Sequence, residues 1–324
     1  MFDATTTMDE VIKTFASQVK GRTFVITGAG QPSIGSQMAL ALAKASPAHI
    51  LIASRSFGKV ESVLNSIKTN TNGAAKTTFV QVDLSDHDSV RQAASKILAA
   101  APKIHVLINS AGNMAIKEYT VDKQGIEIQL SVNHIGHFLL TNLLVPALEA
   151  AAADSEVGAR VVNLTSGAYL ISPVRFDDYN FSNGKAYHHW SAYGQAKTAN
   201  ILFAFGLNKR LRFRGITSTA AHPGYNGDTQ LGAHLTRDDL DDIGPTTKRN
   251  IGREFVWEEP RFKTFDQIST TPLIAALDPD LPAESPAYLQ NSQITEPDES
   301  ARSPENVEKL WKLSEKLVGQ EFNY

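Results

Sequence analysis

The sequence has no cysteine, which excludes disulfides, thiolate metal sites and cysteine nucleophiles, and fits a reducing compartment. It also lacks a basic run. Its 31 lysines and arginines against 34 acids leave a formal charge of −3, a balance that points to neither nucleic acid nor an anionic membrane as partner. A small molecule is the expected partner. No window approaches about eighteen uninterrupted apolar residues, so we expect no integral membrane segment. The first twenty residues, MFDATTTMDEVIKTFASQVK, carry early acids and an amphipathic pattern instead of a basic start followed by an apolar stretch. No secretory signal reads from them, and a cytoplasmic location is the default expectation.

What is present is a chain of 324 residues, 42% of them apolar, enough to bury a sizeable core in one α/β domain. From about residue 22, short apolar or β-branched runs alternate with longer stretches of helical period. Strands are expected at TFVIT (23–27), HILIA (49–53), TTFVQV (77–82), IHVLIN (104–109), RVVNLT (160–165) and ITSTAA (216–221). Helices are expected at 33–45, 88–100, 125–150 and around Tyr193. This alternation predicts a doubly wound parallel sheet in three layers, with helices on both faces. We divide the chain into an N-terminal helical extension (1–20), a catalytic unit (21–230) and a C-terminal region of the same domain (231–324) that covers the site. Residues 238–265 are polar and contain proline; they read either as disordered or, because of their aromatics, as a packed cover. Regularity returns at 266–279 and 303–317.

In such sheets ligands bind beyond the carboxyl ends of the strands. After the first strand, VITGAGQPSIGSQMALALA runs from strand through a glycine-rich turn into a helix, so backbone amides and the helix dipole suit a pyrophosphate. The second strand ends at Ser54 and Arg55, a neutral residue followed by a cation, which favours a 2′-phosphate and hence NADP(H), with NAD(H) as the alternative. Asp83, after the third strand, can reach an adenine amino group or cap a helix. The fourth strand ends in the small-residue turn Asn109 to Gly112.

Two tyrosine–lysine pairs have helical i, i+4 spacing: Tyr193 with Lys197 in SAYGQAKTANILF, and Tyr119 with Lys123 in YTVDK. Their contexts differ. Tyr193 lies between a strand that ends in serine and another strand, whereas Tyr119 sits in a β-branched stretch with no such partner.

With TGAGQPSIG, NSAG, SVNHIGHFLLT, VVNLTSGA, YGQAK and HPG in this order over residues 20 to 229, the chain resembles the short-chain dehydrogenase/reductase family. NHIGHFLLTN and AKTANILF are most similar to its retinol-dehydrogenase-like branch and fungal relatives. The resemblance implies a Rossmann-type fold and a catalytic group of Asn133, Ser166, Tyr193 and Lys197. Tyr193 would exchange a proton with the carbonyl oxygen. Lys197 would favour its phenolate and hold the nicotinamide ribose, Ser166 would hold the substrate oxygen, and Asn133 would hold a water. It implies cofactor contacts at Gly28, Gly30, Ser33, Ile34, Gly35, Ser54, Arg55, Asp83, Leu84, Asn109, Ala111, Gly112, Tyr193, Lys197, Pro223, Gly224 and Thr229. The glycine turn departs from the family's form by one extra residue and by Ser33 in place of its middle glycine, which leaves the path around the pyrophosphate open. Ser110 replaces the usual asparagine, and Thr229 lies one residue farther from Gly224 than is common.

The implied activity is NADP(H)-linked reduction of a carbonyl or oxidation of an alcohol. Phe176, Tyr187, Trp190 and Trp257 are candidate walls of an apolar substrate pocket. The histidines at 134, 137, 188, 189 and 222 lack the carboxylates or cysteines of a metal set, so no metal is expected. The resemblance implies either a homodimer or homotetramer, assembled through the helix of the Tyr–Lys pair, or a monomer, as for members of this branch with extra C-terminal chain. A non-redox biosynthetic enzyme and a cofactor-sensing regulator on the same fold are the alternatives.

Overall fold

A computed structural model of the protein describes residues 2–227 and 229–324. Six strands form where the β-branched runs predict them: β1 (Thr23–Thr27), β2 (His49–Ser54), β3 (Lys76–Gln81), β4 (Val106–Asn109), β5 (Ala159–Leu164) and β6 (Ile216–Ala221). Two more, β7 (Ala287–Gln290) and β8 (Gln293–Thr295), were not anticipated. The sheet order is 3-2-1-4-5-6-7-8, parallel throughout except for β8, which pairs antiparallel with β7. The chain reverses direction across the sheet between β1 and β4, and the crevice at that switch point opens beyond the carboxyl ends of both strands.

The helices are α1 (Met8–Thr14), α2 (Ile34–Ala43), α3 (Glu61–Asn70), α4 (His87–Ala100), α5 (Ile128–Leu130), α6 (Gly136–Ala152), α7 (His189–Leu211), α8 (Arg237–Asp241), α9 (Ile243–Ile251), α10 (Phe265–Leu277), α11 (Leu281–Glu284) and α12 (Pro304–Val318). The pleat sends alternate side chains to opposite faces. Phe24 and Ile26 of β1 pack with α1, α2, α3 and α10, while Val25 packs with the opposite layer of α4, α6, α7 and α12. Because both faces are covered, the central strands read as continuous apolar runs.

The helix from Ile128 to Ala152 is long and apolar enough by composition to cross a membrane, yet 72% of its apolar window is buried inside this core. It is interrupted by a π turn at Ser131–Ile135, which joins α5 to α6. Of the two readings for residues 238–265, the structure adopts the packed cover. There α9 buries Ile243, Thr246 and Thr247, and Ile243 joins Trp190, Tyr193, Phe255 and Trp257 in one apolar cluster.

Candidate active site

Beyond β1 the chain passes through Gly28, whose φ of +73° is a left-handed conformation, and a Cβ there would meet Ala111 Cα at 2.5 Å. Ser33 resolves the altered turn. As N-cap of α2 its hydroxyl accepts from Ser36 N at 3.0 Å and donates to Gly28 O at 3.0 Å, so it closes the loop and starts the helix. The first turn of α2 carries Ile34, which lines the crevice, and Gly35, and the amides that open a helix have no partner within it. Gly30 lies against the Cβ and backbone of exposed Lys59, a residue that the sequence reading missed and that follows exposed Arg55 and half-buried Ser54 in the chain.

The other strand ends are less uniform. The Asp83 carboxylate accepts from Ser85 N at 3.0 Å and from Ser85 Oγ at 2.7 Å, a local turn, while the N-cap of α4 is Asp86. Leu84 is 4% exposed and belongs to the apolar core. The Asn109 side chain points into the core, where Nδ2 donates to Thr141 Oγ1 at 3.0 Å and to Asn163 Oδ1 at 2.9 Å, so only its backbone remains at the strand end. After it, the amides of Ser110 and Ala111 both donate to Thr27 Oγ1, at 2.9 and 3.0 Å.

Thr27 belongs to a buried chain of hydrogen bonds that sequence reasoning did not find. His137 Nδ1 lies 3.0 Å from the Asn133 carbonyl oxygen and must donate to it, so Nε2 accepts from Thr27 Oγ1 at 2.9 Å. Burial holds this ring near a pKa of about 4, consistent with the neutral form. The chain ties the turn after β4 to the π turn that carries Asn133. The Asn133 side chain is itself fixed by Asn113: Oδ1 accepts from Asn113 N at 3.1 Å, and Nδ2 donates to Asn113 O at 3.0 Å.

The structure brings Tyr193, Lys197 and Ser166 together. One helical turn apart on α7, Lys197 Nζ sits 5.6 Å from the centre of the Tyr193 ring and donates to Leu164 O at 3.3 Å. Ser166, just beyond β5, accepts from Ala168 N at 3.2 Å and hydrogen-bonds the Tyr193 hydroxyl. Burial pushes the Tyr193 phenol up to about 12, partly offset by that hydrogen bond. Burial brings Lys197 down to about 8. In the protein alone the tyrosine is thus a neutral acid, not the phenolate. The lysine ammonium faces the aromatic ring and a backbone carbonyl, and no direct contact with the phenol oxygen relieves the burial penalty.

These groups line a cavity of about 360 Å³ that also takes in Ile34, Ser110, Gly112, Pro223, Gly224 and Thr229. Its outer wall is apolar: Met114, Trp190, Leu240, Ile243, Phe255 and Trp257. Trp190 and Trp257 therefore stand where the sequence suggested, with Trp190 Nε1 donating to Asp239 O at 2.6 Å. Phe176 and Tyr187 do not line the cavity. Tyr187 is used in packing, with its hydroxyl donating to Ile116 O at 2.5 Å and its ring edge-on to Tyr119 and Phe181, and Phe176 packs against the core beneath Lys309. Of the histidines only His222 lines the cavity; His134 and His137 are buried, and His188 stacks on His189. Among the described residues no group of three or more His, Asp or Glu side chains could hold a metal.

The rival pair separates. Lys123 forms an ion pair with Asp86, and the Tyr119 hydroxyl is buried without a hydrogen-bond partner.

The family model for short chain dehydrogenase matches residues 22–240. "Retinol dehydrogenase 12" of Mus musculus is 36% identical over 304 residues, covering 93% of this chain and 88% of the relative. "Oxidoreductase fscI" of Fusarium equiseti is 33% identical, covering 69% of this chain and 95% of its own. Among solved structures, an uncharacterized protein of Mycobacterium Paratuberculosis superposes with a TM-score of 0.69 at 30% identity, covering 94% of this chain and 96% of the other.

Proposed function

Because this chain belongs to the short chain dehydrogenase family, in its retinol-dehydrogenase-like branch, and is an oxidoreductase by that membership, we propose that it reduces a carbonyl, or oxidises the corresponding alcohol, on an apolar substrate with NADP(H). The observation that carries this reading is the convergence of Tyr193, Ser166 and Lys197 on one cavity that also reaches the first turn of α2. The residues fit a dinucleotide: the Gly28–Ser33 turn and the start of α2 would hold the pyrophosphate, and Arg55 with Lys59 would receive the 2′-phosphate. When bound, the reduced nicotinamide supplies the hydride.

Tyr193 donates the proton to the carbonyl oxygen, a step for which a phenol held protonated near 12 is in the correct state. Ser166 hydrogen-bonds the same oxygen and fixes its approach to Tyr193. In the oxidising direction Tyr193 must act as base, and bringing its pKa from about 12 to neutrality takes about 7 kcal/mol of differential interaction. Lys197, 5.6 Å from the centre of the Tyr193 ring and charged below about 8, would contribute part of it. The wall of Met114, Ile243, Phe255 and Trp257 supports an extended apolar substrate, and the name of the mouse relative makes retinal a natural member of a test panel.

Incubation with 4-deuterated NADPH and a panel of apolar aldehydes and ketones tests the reading. We expect loss of the reduced-nicotinamide absorbance and deuterium on the carbinol carbon of at least one product. Tight NADPH binding with no label transfer across the panel would overturn it.

A further inference from the structure

A second polar cluster borders the cavity, which His222, Glu258 and Gln290 help to line. Glu258, in the cover after α9, is 9% exposed at its side chain and accepts from three donors: His222 Nε2 at 3.2 Å, Lys263 Nζ at 3.2 Å and Gln290 Nε2 at 3.0 Å. Lys263, 2% exposed, also donates to Asn291 Oδ1 at 2.5 Å. The cover is thereby tied to the loop after β6 and to the turn after β7. Burial alone would raise the Glu258 carboxyl, but His222 and Lys263 outweigh it and hold the group at about 2.

His222 is the informative member. The amides of Gly167 and Gly224 both point at its Nδ1, from 3.2 and 3.3 Å. A nitrogen that accepts two N–H groups carries no proton, so the ring proton is on Nε2, facing Glu258. Gly167 immediately follows Ser166, and Gly224 is in the turn that lines the cavity opposite it. Gly224 has φ +94°, and a Cβ there would meet Lys263 Cδ and Nζ at 2.6 Å and Glu258 Oε1 at 2.9 Å, so the turn is built against this cluster.

We infer that Glu258 is a positioning residue for the reaction: it fixes the Nε2–H tautomer of His222, which lets His222 Nδ1 hold the backbone beside Ser166 and the turn at Gly224 in register across the cavity. The inference rests on the hydride-transfer reading above. The carboxylate acts through His222, and both act on the placement of the Ser166 hydroxyl relative to Tyr193.

Ring-nitrogen 15N spectra of histidine-labelled protein, with His222 assigned by the signal lost in His222→Gln, should show a proton on Nε2 and none on Nδ1 at neutral pH. In Glu258→Leu we expect that tautomer preference to be lost, faster hydrogen exchange at the Gly167 and Gly224 amides, and kcat lowered about tenfold with little change in KM for the carbonyl. Glu258→Gln, whose amide oxygen still accepts from Nε2–H, should restore the tautomer and most of kcat. A wild-type His222 protonated on Nδ1 would overturn the inference without recourse to any variant. So would an unchanged tautomer in Glu258→Leu, or a rise in KM alone, which is what a cover that merely closes the pocket would give. If the wild-type protein reduces no carbonyl, the hydride-transfer reading fails, while the nitrogen spectra and amide exchange still decide what Glu258 does to His222.

Discussion

Two tyrosine–lysine pairs with the same spacing occupy this molecule, and their surroundings have little in common. Tyr193 and Lys197 lie on one long helix, both almost fully buried, facing a cavity that holds Ser166 and the start of α2. Tyr119 and Lys123 lie in the irregular stretch before α5; the phenol packs edge-on to Tyr187, and the ammonium is out in solvent beside Asp86. The helical spacing matters in the first pair because a helix is there to use it, and the shared burial shifts both groups away from their ordinary pKa values. In the second, the stretch serves structure: Val121 bridges to Glu127, and Glu127 caps α5 by accepting from Gln129 N and Leu130 N, each at 2.9 Å.

The comparison breaks if lysine loss matters equally in both places. We expect the wild-type rate of reduction to decline as pH rises through about 8, where Lys197 loses its charge; Lys197→Met should lower kcat about a hundredfold or more and remove that decline. Lys123→Met should leave both the rate and the pH profile as in wild type. Steady-state kinetics across pH on the two variants decides it.

A second test concerns the structural region. Burial raises Glu127 from an ordinary 4.5 to about 7, so the folded state holds a proton that the unfolded chain releases between those values. Its stabilisation is fully present below 4.5 and lost as pH rises through 7, up to about 3 kcal/mol. Glu127→Gln should flatten this part of the curve, measured by urea unfolding at several pH values, with kcat at neutral pH little altered. A wild-type curve that rises across the same range would contradict it.

The smallest effect sharpens the cofactor end of the first region. Arg55→Ala should raise KM for NADPH about tenfold and leave KM for NADH nearly unchanged, since only the former carries the 2′-phosphate. Equal changes for both would remove the basis for an NADP preference.

How much of this was legible in the sequence depended on how local the signal was. β1, β2, β4, β5 and β6 are runs buried on both faces and β3 at the sheet edge is still rich in β-branched residues, so composition marks them, whereas β7, AYLQ, has no β-branched residue and forms where β6 offers it an edge. The altered glycine turn could not be traced from spacing, since its closure depends on Ser33 bonding both Gly28 O and Ser36 N. Tyr193, Lys197 and Ser166 were readable because one helix and one strand end hold them. Phe176 and Tyr187 misled because both pack away from the cavity: Phe176 lies against the core, and Tyr187 is held by Ile116 and Gln129, 71 and 58 residues earlier in the chain, with Phe181 of its own loop against the ring. Glu258 and Lys263 gave no signal, since their cluster is assembled from the cover, the loop after β6 and the turn after β7. The His137 link to Thr27 was hidden likewise by a separation of 110 residues.

The most direct test of the central claim is to compare Tyr193→Phe with Tyr119→Phe, following reduced-nicotinamide consumption with the same carbonyl substrate and confirming the fold of each by its melting temperature. Removing the Tyr193 hydroxyl should lower the rate about a thousandfold with little change in cofactor binding. Removing the Tyr119 hydroxyl, which is buried without a partner, should leave the rate as it is and the melting temperature equal or higher. Comparable rates in the two variants would contradict the assignment of Tyr193 as the proton donor.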